Sequence, residues 1–408
     1  MSASTEIRIP DELIADSSLA PPLGSAPATD WLKGPGVYTF WKGRVALYGL
    51  LRALGVGLGS VVVVPGYTCF AVPLAVRMAG CEPIYADIDP GTFNMSLSGI
   101  EAACGDRSRG QVKVIIIQHT YGIPADTAAI VAWARDRDIA VLEDCAHVWG
   151  SRYRDDSGAW QHLGNLGDAA FFSSHWSKPV STGLGGWART SDPKLAAALG
   201  RFHDDECAPP SIRETLLVAA QVGVREVFSS PWLYWLARKG YRWLSEKGIF
   251  VGSSTPEELQ GVEPRASDYA KQMSGFQEKL LKRRLSEISV IDHRRYLKAV
   301  YDAALQSADL PVLSAPPDRD PVLLCYPVRV RHKQRVLEEA ERSRIELGDW
   351  YRYPVDRPDG VREEVFAYRT GVCPEGERAS REVVTLPMHI RVTESGAWTI
   401  VKFLKEVA

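Results

Sequence analysis

Short apolar runs alternate with amphipathic stretches along most of the chain. From Gly43 to Leu54, apolar residues recur at Val45, Leu47, Leu50, Leu51 and Leu54, the spacing of one helix face, and Gly55 and Gly57 end the pattern. VVVVP (61–65) then reads as a buried strand and AVPLAVRMAG (71–80) as a helix. PIYADID (83–89) is a strand, and IEAAC (100–104) sits in a short helix. VKVIIIQH (112–119) is a strand, ADTAAIVAWARDRD (125–138) a helix and AVLED (140–144) a further strand. Strands that are apolar on both sides must be covered on both faces, and the helices between them supply the cover. The pattern predicts an α/β fold around a large, mostly parallel sheet. No period of 20–50 residues points to a solenoid.

After Asp144 the character changes. DAAFFSS (168–174) reads as a strand and leads into a polar stretch that holds Lys178. GLGGWART (183–190) is a glycine turn feeding an antiparallel strand. Residues 205–265 are irregular, and within them PWLYWLARKGYRWLSEKGIF (231–250) is strongly aromatic and basic. A long helix is expected over 270–306, then a strand in PVLLCYPVRV (321–330) and a helix in TESGAWTIVKFLKEV (393–407). The expected organisation is an N-terminal arm (1–36, rich in Pro, Ser, Gly and Ala), a large domain (37–265) with 205–265 as an insertion, and a connecting helix plus a smaller C-terminal α+β domain (266–408).

Composition narrows the functional classes. Of 408 residues, 45% are hydrophobic and 24% charged, as in an ordinary globular protein. A net charge of −2 supplies no global basic field for nucleic acid. No run approaches the roughly 18 apolar residues of a transmembrane helix, and the start lacks the basic flank and apolar core of a signal peptide. Seven cysteines are scattered without a CxxC pair, which argues against a disulfide framework or a structural zinc site and for a reduced, cytoplasmic protein. In 231–250, Trp232, Trp235, Tyr241 and Trp243 alternate with Arg238, Lys239 and Arg242. Packing of these aromatics on the core or on a partner is the expectation, ahead of contact with a membrane surface.

Ligands of parallel α/β sheets bind where strands end at their carboxyl edge. Lys178 lies just beyond one such strand. Desolvation there would lower its pKa and make the amine nucleophilic towards a carbonyl, although the local sequence alone favours a solvated surface lysine. Asp144 ends a buried strand, where a carboxylate needs a partner. A protonated ring nitrogen would serve, as would an N-cap or a salt bridge. Strand alternation turns the adjacent Glu143 to the opposite face. Gly43 and Arg44 stand at a helix start, which with Ser173 could receive a phosphate. His175 fits either a contact with a bound group or a loop support.

The ordered stretches GRVALYGLLRALGVGLGSVVVVPGYT, AGCEPIYADIDPGTFNMS, HTYGIPAD, VLEDCAHVWGS, LGDAAFFSSHWSK and GLGGWARTSD, with CPEGERAS and LPMHI near the end, carry a resemblance. From about residue 35 onward the chain resembles the DegT/DnrJ/EryC1/StrS sugar aminotransferases, pyridoxal 5'-phosphate enzymes of fold type I. The resemblance implies that Lys178 is the catalytic lysine that holds the cofactor as a Schiff base. It places Asp144 at the pyridine nitrogen and His147 near the ring hydroxyl. Ser173, Gly43 and Arg44 fall at the phosphate. It further implies a homodimer that moves an amino group from an amino acid, glutamate or glutamine, to a keto-sugar.

Three departures stand out. Lys42 and Arg44 replace the serine and threonine of the family's phosphate turn, so guanidinium charge gains weight there. Cys69 stands where many members place an aromatic over the cofactor ring, with Phe70 as a substitute. Ala270-Lys271-Gln272-Met273 replaces an Asn-x-Arg-Met stretch that often reaches the partner's site. The alternatives are an aminocyclitol or other cyclic-ketone aminotransferase and, from another class, a non-catalytic cofactor-binding regulator or assembly protein. PLP-dependent sugar 3-dehydration is disfavoured, because relatives that perform it carry His in place of the lysine.

Overall fold

The computed structural model describes residues 31–105, 110–228 and 269–408. β1 (Val37–Phe40) leads into α1 (Gly43–Ala53). The alternation read from the apolar runs follows as β2 (Val61–Pro65), the short β3 (Thr68–Cys69), α2 (Ala71–Met78), β4 (Glu82–Ala86), α3 (Leu97–Cys104), β5 (Val112–Gln118), α4 (Thr127–Arg135) and β6 (Ala140–Asp144). After β7 (Arg152–Arg154) and β8 (Trp160–His162), β9 (Ala169–Ser173) and β10 (Gly186–Arg189) enclose the segment that holds Lys178. α5 (Pro193–Arg201) and α6 (Ile212–Phe228) come next. Over Ile212–Phe228, α6 corrects the expectation of irregular structure, and 229–265 lie outside the described residues. Its apolar pattern is blurred because Ile212, Leu216 and Val224 face outward. The aromatic-basic stretch 231–250 and arm residues 1–30 lie outside the described residues.

Seven strands form one sheet in the order β1-β10-β9-β6-β5-β2-β4. β4, β2, β5, β6 and β9 are parallel, while β10 is antiparallel to both β9 and β1. The chain steps outward from β2 to β4 and then back across β2 to β5. The direction of winding therefore reverses between β2 and β5, and the strand ends open a crevice there. Side-chain alternation sorts the strands' apolar residues between two cores. Val62, Val64, Val114, Ile116 and Leu142 pack under α1 and α2. Val61, Val63, Ile115, Ile117 and Val141 pack under α3 and α4. Each such side chain stabilises the fold by roughly 1.5–3 kcal/mol through burial, which is why both faces of these strands are apolar.

The C-terminal part begins with α7 (Gly275–Leu285) and α8 (Ser289–Ser307), where one helix over 270–306 was expected. Ser274 and Gln277 form a capping box that starts α7, and the Ser286 hydroxyl turns back to Arg283 O at its end. Neither Pro nor Gly marks this break, and the apolar spacing runs through it. β11 (Arg319–Asp320), β12 (Cys325–Arg329), α9 (Lys333–Arg342), β13 (Val355–Asp356), α10 (Pro374–Glu382), β14 (Val383–Pro387) and α11 (Glu394–Val407) complete the chain. β12 and β14 pair antiparallel within a second core built with α8 and α11. β13 instead pairs in parallel with β3, and Val355, Phe366, Tyr368 and Cys373 join the core under α1. A C-terminal segment is thereby drawn over the ends of the parallel strands.

Candidate active site

Alternation along the strands decides what faces the crevice. Asp144 shares a face of β6 with Leu142, Gln118 ends β5 on the same side, and Ser173 shares a face of β9 with Phe171. All eight residues singled out from sequence (Gly43, Arg44, Cys69, Asp144, His147, Ser173, His175 and Lys178) line one cavity of about 280 Å³. The expectation that Glu143 turns away also holds, as its hydrogen bonds run to the opposite side of the sheet.

One end of the cavity is the N-terminus of α1. Lys42 is its N-cap residue, and its own side chain makes no cap hydrogen bond. The helix comes this close because residue 43 is glycine. A Cβ there would stand 2.8 Å from Ser173 Cβ and 3.0 Å from Phe172 O. Arg44 lies over the Phe70 ring at 5.3 Å. His175 Nε2 is buried beside them without a hydrogen-bond partner among the described residues. Burial, with Lys178 and Arg44 nearby, pushes the imidazole down to about 3, so it is neutral. A helix N-terminus, a serine hydroxyl and a buried imidazole suit a phosphate monoester.

The other end holds the reactive pair. The turn carrying Lys178 is pinned at its base: the Ser174 hydroxyl meets Thr182 Oγ1 at 2.7 Å, and Thr182 donates to Leu184 O. Burial pulls the Lys178 amine below its ordinary value, with Cys69 and Asp144 opposing. Asp144 is 4% exposed and accepts one hydrogen bond, from Ala146 N at 2.9 Å. It has no ion pair among the described residues. Burial therefore raises its pKa, with the Ala146 N–H and Lys178 opposing. A buried carboxylate with so little compensation fits a cationic ring N–H brought by a ligand. His147 accepts from Tyr121 N at Nδ1 (3.1 Å), and its Nε2 faces Tyr351 Oη at 3.3 Å.

A model of the DegT/DnrJ/EryC1/StrS aminotransferase family matches residues 30–220 and 247–405. The chain belongs to that family. It is 40% identical over 167 residues to protein MosB of Rhizobium meliloti, a match covering 41% of this chain and 31% of MosB. It is 38% identical over 157 residues to the GDP-perosamine synthase of Escherichia coli O157:H7, covering 38% of this chain and 41% of that enzyme. The matched region thus spans less than half the length of either curated relative. In structure the chain is similar to DesV from S. venezuelae, with a TM-score of 0.69 over 97% of this chain and 93% of DesV at 24% identity. That likeness is one of fold.

Against the family pattern, the departures have local explanations. Lys271 pairs within its own chain with Glu214 at 2.6 Å, and Gln272 donates to His203 O at 3.0 Å. Phe70, next to Cys69, packs on Phe366 at 5.6 Å. Sequence reasoning missed Trp350, Tyr351 and Asp356, which also line the cavity. β13 brings them there by pairing with β3. It missed Gln118 as well, although its place at a strand end was visible. The Gln118 amide carbonyl accepts from Thr68 Oγ1 at 2.6 Å, and its NH₂ donates to Tyr67 O at 3.1 Å, fixing the β3 turn.

His119, Glu143 and Cys145 also cluster, close enough to hold a metal ion. Protein groups already engage Glu143 and His119. Glu143 accepts from His119 Nε2, Gly164 N, Leu166 N and Gly167 N, and His119 Nδ1 accepts from Ala125 N. The cluster closes the far face of the sheet.

Proposed function

We propose that the chain is a pyridoxal-phosphate-dependent aminotransferase that moves an amino group from an amino acid, glutamate or glutamine, to a cyclic ketone, in amino-sugar biosynthesis a nucleotide-linked keto-sugar. The observation that carries this reading is the pairing, in one cavity, of a desolvated Lys178 amine with a buried, under-compensated Asp144 carboxylate. Family membership and the similarity to a GDP-perosamine synthase support the reaction class and the acceptor class.

Bound here, pyridoxal phosphate would supply an electrophilic carbonyl and a protonated ring that withdraws electrons from the substrate carbon. Asp144 would hold the ring N–H. Gly43, Arg44, Ser173 and His175 would receive the phosphate. His147, neutral and fixed by Tyr121 N–H, would donate from Nε2 towards the ring oxygen side. Cys69 would lie against the ring face. Lys178, whose amine is held below its ordinary pKa by burial, would bind the cofactor's carbonyl carbon and would carry the proton from the donor's α-carbon and back to the acceptor's.

The protein acts in this reading as a cytoplasmic homodimer. Its seven free thiols suit a reducing compartment, and Ile212, Leu216 and Val224 leave apolar surface on α6 for a second copy. No described helix is long and apolar enough to cross a membrane. The test is a separated half-reaction. Glutamate or glutamine should convert the absorbance of the holoprotein to that of the amine form, and keto-sugars or inososes should reverse it. Failure of both donors to change the spectrum refutes the assignment, and the acceptor panel separates sugar from cyclitol.

A further inference from the structure

Trp350 lines the Lys178 cavity. Its ring centroid lies 5.0 Å from Lys178 Nζ, and its plane is 16° from that of the His147 imidazole at 5.4 Å. The indole is half-buried, whereas Asp144 and His147 are almost fully enclosed.

The segment is held from several sides. The hydroxyls of Tyr67 and Tyr121 both donate to Trp350 O, and Tyr351 N donates to Tyr67 Oη at 3.0 Å. Lys333, at the start of α9, is 7% exposed, a depth at which lysines are rarely found. Its amine donates to Tyr351 O at 3.0 Å and to Ser380 O at 2.8 Å, and pairs with Asp349. Three oxygens answer a buried charge, and the result is a single placement of Asp349–Tyr351.

Lys178 Nζ is the atom through which a substrate carbon exchanges its proton in the reaction proposed above. The substrate must come within reach of Nζ, so a partly open side chain 5.0 Å from it borders the substrate. The other aromatics lining the cavity, Phe70, Phe171 and Tyr351, are buried, whereas Trp350 keeps part of its surface open beside the His147 on which it stacks. Phe70 packs between Phe366 and Arg44, Phe171 is in the sheet core, and Tyr351 is turned to His147.

We propose that Trp350 is the platform on which the acceptor's ring lies, and that Lys333 is a positioning residue that fixes it. The inference rests on the aminotransferase reading. The electron-rich indole face attracts the positive ends of C–H bonds as it attracts a cation, and a sugar or cyclitol ring presents a face of such bonds. An open-chain keto acid or a small amino donor presents no such face. The platform thus selects cyclic acceptors and acts mainly in the acceptor half of the reaction.

The holoprotein is assayed in separated half-reactions, with glutamate as donor and nucleotide-linked keto-sugars and inososes as acceptors. Trp350→Ala should raise the acceptor KM about ten-fold, the size of one stacking contact, with a clearly smaller loss in the donor half. Trp350→Phe should recover most of the loss. Lys333→Met should reproduce part of it in KM rather than kcat. If Lys333→Met does not fold, the two Trp350 variants decide. Equal losses in both halves overturn the proposal, as does pyridoxal-phosphate affinity falling as much as acceptor affinity in a fluorescence titration. A wild-type protein whose spectrum does not respond to glutamate or glutamine overturns the aminotransferase reading itself.

Discussion

Glu143 and Asp144 are adjacent carboxylates on one strand, both buried, and they face opposite sides of the sheet. Glu143 receives four hydrogen bonds, one from His119 and three from the 164–167 backbone. Burial alone would raise its pKa, but these donors more than offset it and hold it below the usual value. Asp144 receives one, and burial leaves its pKa raised. Burial therefore does not distinguish a structural carboxylate from a functional one, whereas the donors around it do. The side of the sheet with satisfied groups closes the fold, and the side with an unsatisfied group holds the cavity.

The sharpest way to break this comparison is to remove the functional side. Lys178→Ala should lower turnover by about a hundred- to ten-thousand-fold, the range for a lost proton-transfer group, and abolish the visible absorbance of the bound cofactor. Asp144→Asn should cost turnover on the same order while leaving the cofactor-free protein as stable as wild type or more so, because a poorly compensated buried charge is gone. Glu143→Gln should do the reverse. It removes the anion from four donors and should destabilise the fold by about 3–5 kcal/mol, measured by denaturant unfolding, with the folded fraction still active. A Glu143→Gln protein of normal stability would remove the contrast.

Acidity sharpens the same contrast. The folded-state pKa of Glu143 lies below its unfolded value, so its contribution is present above the unfolded pKa and is lost as pH falls through the folded one. Asp144 has the opposite sign. Its folded-state pKa is raised, so its ionised form costs stability once pH rises through that value, and the cost disappears below the unfolded pKa. In cofactor-free protein, the stability of Asp144→Asn relative to wild type should rise as pH increases through the carboxylate range. That of Glu143→Gln should fall. Bound cofactor should remove the Asp144 slope, because the ring N–H then pairs with the carboxylate. Parallel slopes for the two variants would contradict the assignment.

The sequence carried the strand ends well, for a physical reason. Continuous apolar runs locate β2, β5 and β6, and period-two alternation then places Asp144 in the crevice and Glu143 away from it. Lys178 needed the ordered motifs around it, since a lone lysine after a strand reads first as solvated. The segment around Trp350 was not legible. DWYRYP has no periodic apolar pattern, and its place depends on β13 joining β3, a pairing between Val355 and Thr68 that no local signal announces. Lys333 reads as a surface lysine in KQRVLEEAER, and only tertiary packing buries it. The division between α7 and α8 was hidden because its polar turn interrupts neither the apolar spacing nor the helix-forming composition.

The smallest expected effect concerns His147, which shares the cavity face with Asp144 but is satisfied like Glu143. Burial, reinforced by Lys178 and His119, holds its pKa well below the ordinary histidine value. Geometry points the same way. Protonation would place a second proton on Nδ1, which already accepts from Tyr121 N at 3.1 Å, so two hydrogens would oppose each other. The imidazole should therefore stay neutral between about pH 5 and 8, where an unperturbed histidine titrates. Its ring resonances should be flat across that window by NMR. His147→Asn keeps a short donor and acceptor but shortens the reach, and should lower kcat/KM by only about ten-fold, one neutral hydrogen bond, without moving the pH profile. If the acidic limb of that profile shifts in the variant, His147 takes up a proton during turnover and belongs with Lys178 as a proton carrier. If it does not, the hydrogen bond from Tyr121 keeps the imidazole a fixed donor, and the proton transfers in the cavity fall to Lys178.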